Sequence, residues 1–217
     1  MRQGQLEHAL AIARAGRLQE ADELADAALD TALAQGDQEG FLSWVPLSAE
    51  LCDALGRPAR AVYVLSLAAT FLRAEGDQAG ALSLEVDAAL RASAARVGEW
   101  QSRLEQAFAR VVDEGANGWG VESVLGLCEA ALRLNRGQWI AEGALEIAEQ
   151  WMGNRAPMLC ASLAVFSAEL LEESGRDDLA LDAWKLACSL AQSVYAEEFE
   201  GWAHRLDQCA ARLLSRG

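Results

Sequence analysis

Lysine is almost missing from this chain: Lys185 is the only one in 217 residues, although arginines are plentiful. That skew, together with the abundance of alanine, is the composition of a GC-rich bacterial genome. Proline is nearly as rare, with only Pro46, Pro58 and Pro157, and the β-branched residues that strands need in runs are sparse. The best strand candidate, Ala61-Val62-Tyr63-Val64, is too short and sits inside a helical pattern. No apolar run approaches the roughly 20 residues of a membrane span. The most apolar stretch, Met158 to Leu171, is interrupted by Ser162, Ser167 and Glu169. The opening residues Met1-Arg2-Gln3-Gly4-Gln5 run straight into helical periodicity, without the apolar stretch of a signal peptide.

Chemical signatures are equally scarce. His8 and His204 are the only histidines, and they stand at opposite ends of the chain. HExxH, Glu-x-x-His and a Cys/His cluster are all absent, so zinc and di-iron sites lack ligands. There is no P-loop and no dinucleotide fingerprint. The glycines around Trp119 (Gly115, Gly118 and Gly120) follow no strand and read as a repeat junction. The five cysteines, Cys52, Cys128, Cys160, Cys188 and Cys209, are odd in number and show no CxxC spacing. Each lies among apolar residues, as a small buried hydrophobe in a reducing cytosol would. Basic residues are outnumbered, giving a formal net charge of −15. Such a surface repels nucleic-acid phosphates and anionic membranes, and leaves a basic peptide or protein face as an electrostatically suitable partner.

What the chain does contain is helix. Alanine supplies about a fifth of the residues, and Leu, Glu, Arg and Gln add to the helical propensity. Two passages nearly repeat 40 residues apart: Ala34-Gln35-Gly36-Asp37-Gln38-Glu39-Gly40 and Ala74-Glu75-Gly76-Asp77-Gln78-Ala79-Gly80. They begin a glycine series, Gly36, Gly76, Gly115 and Gly153, which interleaves with a second, Gly16, Gly56, Gly98, Gly137 and Gly175. A glycine about every 20 residues, with helical periodicity between, marks where each helix stops in a left-handed turn. Asp37 and Asp77 are placed to cap the helices that follow, and Pro58 and Pro157 suit a first helical turn. Alanines keep a register to the second glycine series: Ala9, Ala49, Ala130 and Ala168 before it, Ala21, Ala61 and Ala180 then Ala28, Ala68 and Ala187 after it. Small residues at those spacings let paired helices approach closely.

This register of small residues and glycines, with Trp184 between Ala180 and Ala187, resembles the tetratricopeptide-repeat superfamily over roughly residues 5 to 194. The period of 38 to 42 residues is longer than that family's usual 34, so the helices are expected to be longer, and the closing proline is absent. The resemblance implies an all-α fold, a right-handed α-solenoid of about five antiparallel helix pairs plus a C-terminal capping helix. We expect one domain over 1–217, with repeats near 4–34, 38–74, 78–114, 119–151 and 156–194. The cap near 197–215 carries Glu197, Glu198, Arg205, Asp207 and Arg212 toward solvent. Pro46 falls inside the third helix, which should therefore start late or kink.

The function this implies is a cytoplasmic protein–protein interaction scaffold or adaptor that binds a peptide or protein partner in a concave groove. The first helix of each pair lines that groove in the family resembled. Its polar residues here are Arg14, Arg17, Glu50, Asp53, Arg57, Glu85, Arg96, Glu169, Glu172 and Glu173. The carboxylates at the C-terminal end would suit a basic partner. No catalytic residue, metal or cofactor is expected, and no direct contact with nucleic acid or membrane. Self-association through solenoid ends or exposed tryptophans is a further expectation. Two alternatives stay open: a regulatory sensor acting on a partner protein, for which a closed apolar pocket would speak, and an enzyme on a helical scaffold, for which a buried carboxylate pair would.

Overall fold

Helix ends fall where the chain carries its left-handed residues and its capping aspartates. The computed structural model describes residues 2–114, 121–151, 157–194 and 199–216. They form α1 (Arg2–Arg14), α2 (Leu18–Gln35), α3 (Gln38–Ala54), α4 (Pro58–Ala74), α5 (Gln78–Ala95) and α6 (Trp100–Glu114). After these come α7 (Val121–Ala131), a short 3-10 turn (Leu132–Leu134), α8 (Gly137–Trp151), α9 (Pro157–Glu173), α10 (Asp177–Val194) and α11 (Phe199–Arg216). No strand occurs among the described residues. Gly115, Gly118, Trp119, Gly120, Gly153, Glu197 and Glu198 lie outside the described residues.

Local chemistry accounts for most boundaries. Gly16, Gly36, Gly56, Gly76, Gly98 and Gly175 all have positive φ, which costs a residue without Cβ little. Asp37 accepts a hydrogen bond from Gly40 N (3.1 Å), and Asp77 accepts one from Gly80 N (2.8 Å). A Cβ on either glycine would press on the capping carboxylate, which would have to shift to admit it. Pro58 and Pro157 open α4 and α9.

Of the two alternatives for Pro46, the late start is not taken: α3 begins at Gln38, where the 38–74 repeat is expected to begin, with Pro46 inside it. The Asp37 cap fixes the start, and buried Phe41, Trp44, Val45, Leu47, Ala49 and Leu51 hold the helix across the missing N–H. Gly137 does not end the preceding helix, because it is the first residue of α8. Asn135 takes the left-handed turn instead (φ 55°), a role asparagine tolerates better than most residues.

The chain divides into two compact units, Met1–Ala107 and Phe108–Gly217, with the division inside α6. In the first, α1 packs on α2, α2 on α3, α3 on α4 and α4 on α5. In the second, α8 packs on α9, α9 on α10 and α10 on α11. Within each unit helical hairpins stack in chain order, the packing of an all-α solenoid, and each unit buries a core of its own. Phe41, Trp44, Leu51, Val64 and Leu65 are buried in the first unit, and Leu127, Ile140, Ile147, Leu163 and Trp184 in the second. The register alanines Ala9, Ala21, Ala49, Ala61, Ala68, Ala130, Ala168, Ala180 and Ala187 are all buried.

Candidate functional site

Ala28 departs from the register alanines. Its counterparts Ala68 and Ala187 are fully buried, yet Ala28 is only half-buried. It opens into a cavity of about 370 Å³ within the first unit. Leu24, Ala27, Ala28, Ala32 and Trp44 supply the apolar lining, and Gln5, His8, Thr31, Gln35 and Asp37 supply polar atoms. α2 contributes one helical stripe, Leu24, Ala27, Ala28, Thr31 and Gln35, while α1 and α3 contribute His8 and Trp44. Leu24 is 38 % exposed, an uncovered leucine at the cavity lining. A capping bond places the Asp37 carboxylate beside Gly40 in the same recess.

The groove residues expected from the sequence are spread over both units. In the first unit three of them, Asp53, Arg57 and Glu85, join repeats to one another. Arg57 Nη1 lies 2.5 Å from Asp22 Oδ2, and its Nη2 donates to Gln19 Oε1 (3.0 Å). Asp53 pairs with Arg91, which also holds Asp87 (2.8 Å), and Glu85 pairs with Arg73 (2.5 Å). Arg17 pairs with Glu20 on the next turn. Arg14 and Glu50 are exposed, and Arg96 is an exposed left-handed cap that ends α5.

In the second unit, Glu169, Glu172 and Glu173 do come together, in an open hollow that also contains Arg205 and Arg212. Glu172 is bridged by both guanidiniums, from Arg205 and from Arg212 (2.6 Å). Burial pushes the Glu172 carboxyl up, but the hydrogen bonds and charges of the two arginines outweigh it and leave the group below its ordinary value. Arg212 also binds Asp177, a carboxylate only 3 % exposed (2.9 Å), and Arg205 stacks over the Trp184 indole (5.3 Å). These two arginines therefore turn toward α9 and α10 while staying partly solvated, a correction to the sequence reading, which points them to solvent. Glu169 and Glu173 remain exposed on the rim.

Sequence reasoning missed the partners of these acids and the cavity. A signal existed for the first: Arg57–Asp22, Arg60–Asp26 and Arg212–Asp177 span 35, 34 and 35 residues, one repeat less a turn or so. The cavity left no such mark, since an alanine reads the same whether or not it is covered.

Of the aromatic candidates, Trp44, Trp151 and Trp184 are buried, and Trp100, Trp139 and Trp202 are half-buried. Trp139 meets the Phe108 ring edge-on at 4.9 Å. Among the described residues, the exposed large apolar side chains are instead Leu24, Leu33, Tyr63, Met158 and Leu214. All five cysteines are free and buried, and burial raises the Cys128 thiol to about 12. Among the described residues no group of three His, Cys, Asp or Glu side chains is placed to hold a metal ion. No helix of the described residues is long and apolar enough to cross a membrane.

No protein-family model matches this chain, and no curated protein matches it. Solved structures similar to it include one described as "DHF119 filament", 22% identical, covering 93% of this chain and 95% of that one, with a TM-score of 0.20. Another is the crystal structure of the de novo designed helical repeat protein DHR64, 21% identical, covering 99% of this chain and 93% of that one, with a TM-score of 0.18.

Proposed function

We propose that this chain is a tetratricopeptide-like interaction scaffold that seats a peptide segment of a protein partner against α1, α2 and α3. The supporting observation is the cavity at Ala28. At Ala68 and Ala187 the repeat register buries the counterpart alanine, and here it leaves a recess walled by Leu24, Ala27, Trp44 and several uncharged polar side chains. An apolar floor with a few polar groups on its edge is the usual make-up of a site that anchors a side chain. The arginines and carboxylates that join one repeat to the next hold the helices in register and so keep the recess preformed.

The test is selection of peptides from a random displayed library, run in parallel on the wild type and on Ala27→Trp. Ala27 is exposed, so the indole can fill the recess without disturbing the core. Peptides retained by the wild type and lost from Ala27→Trp support the scaffold reading. An enriched set that ignores the substitution, or no enrichment at all, overturns it for this surface.

The volume of the recess also suits a small-molecule ligand, since such sites begin at about 300 Å³. On that second reading the chain is a sensor acting on a partner. Thermal stabilisation by a metabolite pool that Ala27→Trp abolishes would favour it over the peptide scaffold.

A further inference from the structure

We infer that α11 is the first helix of a sixth hairpin whose second helix comes from a partner: an amphipathic helix with small residues along its contact stripe and basic residues on one border. This surface is separate from the recess at Ala28 and does not depend on it. Ala210 stands seven residues before Gly217, as Ala9, Ala49, Ala130 and Ala168 stand seven before Gly16, Gly56, Gly137 and Gly175. Those four alanines are buried, and Ala210 is only half-buried. α9 allows the comparison position by position. Its Ala161, Ala164, Ala168 and Leu171 lie 42 residues before Ala203, Leu206, Ala210 and Leu213 of α11. In α9, which packs on both α8 and α10, all four are wholly buried. In α11, which packs on α10, all four are half-buried. α1 shows which neighbour is missing: it packs on α2 and α3, and these later helices bury Ala9 completely. The open position on α11 is therefore that of a following second helix.

The stripe and its borders say what fills that position. Phe199, Ala203, Leu206, Ala210 and Leu213 recur at intervals of three and four and make one apolar face, with Leu214, 85 % exposed, beside it. Ala203 and Ala210 admit close approach, so the occupant is a helix of the kind this chain uses as its own second helices, striped with small residues. On one border of the face, Arg205 and Arg212 are already engaged by Glu172, and Arg212 by Asp177 as well. On the other border Glu200 and Asp207 are exposed, each one turn from a stripe alanine. A basic residue on the incoming helix meets those acids, whereas an acidic one is repelled. A second copy of this chain, with a formal net charge of −15, is the less suitable occupant.

The probes are two labelled peptides taken from second helices of this chain. Residues 57–74 carry Arg57, Arg60 and Arg73 and no carboxylate, and residues 18–35 carry five carboxylates and no lysine or arginine. Both include register alanines, Ala61 and Ala68 in one, Ala21 and Ala28 in the other. Binding to the full chain is followed by fluorescence anisotropy. The basic peptide should bind at least about tenfold more tightly than the acidic one, with the difference shrinking at high salt. Glu200→Gln with Asp207→Asn should remove that preference. Leu214→Ser, at an exposed position, and Ala210→Arg should each weaken binding, with melting curves showing that both variants fold. Equal binding of the two peptides, no binding of the basic one, or binding indifferent to Leu214→Ser and Ala210→Arg overturns the inference. Sedimentation of the chain alone completes the test: self-association that both substitutions abolish assigns the face to a second copy and overturns the partner helix.

Discussion

Arg57 reaches back 35 residues to hold Asp22, a carboxylate whose side chain is only 2 % exposed, at 2.5 Å. Arg57 itself stands just after the turn glycine Gly56 and is 43 % exposed, so the pair is a buried acid tied by a guanidinium from the next repeat. The same device recurs as Arg212–Asp177 (2.9 Å), where the acid is again buried, while Arg60–Asp26 (3.0 Å) and Arg176–Glu142 (3.5 Å) repeat the spacing with solvent-exposed acids. Hydrophobic packing alone would allow one hairpin to slip along the next. A buried charge that finds its partner in one alignment only penalises such a slip.

Arg57→Ala strands Asp22 and should destabilise the protein by about 2 kcal/mol, at the low end for a buried pair because the arginine is partly solvated. Asp22→Ala/Arg57→Ala should recover part of that loss, since it leaves no uncompensated buried charge. Urea titrations of the two single variants and the double variant measure the coupling. Additive losses would mean that the contact contributes nothing specific.

The helices were legible in the sequence because their causes are local. Asp37 and Asp77 cap, Pro58 and Pro157 open first turns, and the turn glycines take positive φ, all within a few residues. Where local and tertiary preferences conflict, sequence reasoning loses. Pro46 is carried inside α3 by the packing of that helix, and Asn135 displaces Gly137 as the left-handed residue. The site was less legible still. Which acid meets which arginine depends on how repeats stack, so Glu172 reads as free and is in fact bridged by Arg205 and Arg212. The recess at Ala28 depends on what fails to cover an alanine, and no residue type records that.

Gly143 lies in α8 where a Cβ would come within 2.8 Å of Phe108 Cε1 and 3.0 Å of Val112 Cγ2. Replacing a helix-interior glycine by alanine ordinarily gains about 1 kcal/mol. Here the added methyl overpacks a ring, a cost of about 1–3 kcal/mol, so Gly143→Ala should be net destabilising. Gly126 in α7 has nothing within 4 Å of such a Cβ and is the control, expected to raise Tm by about 2–4 °C per kcal/mol gained. Melting curves that move the same way for both would refute the steric account.

Acid should loosen α11. The Glu172 carboxyl is held below its ordinary 4.5, so the folded state binds fewer protons there than the unfolded chain does. The resulting stability is complete above about 4.5 and is lost as pH falls through the lower folded value. Glu172→Gln should cost about 2 kcal/mol at neutral pH, the scale of lost charge-assisted hydrogen bonds, and should flatten the acid limb. Because Arg205 stacks on Trp184, indole fluorescence is a fitting reporter. An acid limb unchanged in Glu172→Gln would assign the transition to other carboxylates.

Alkali should act through Cys128 with the opposite sign. Burial, aided by the nearby charge of Glu129, raises this thiol from 9.0 to about 12. Between those values the unfolded chain has lost the proton that the folded protein keeps, so stability falls as pH rises through that window. Below 9.0 both states are protonated and the group has no effect on the slope. The same burial makes the thiol inert, because the thiolate is the reacting species. Native protein at pH 8 should leave Cys128 unlabelled by iodoacetamide, whereas protein in urea should be labelled there within minutes. Cys128→Ala should remove its share of the alkaline slope and leave the other four buried cysteines to supply the remainder. Rapid native labelling of Cys128, mapped by peptide mass, would show that the α7 region opens far more readily than its burial implies.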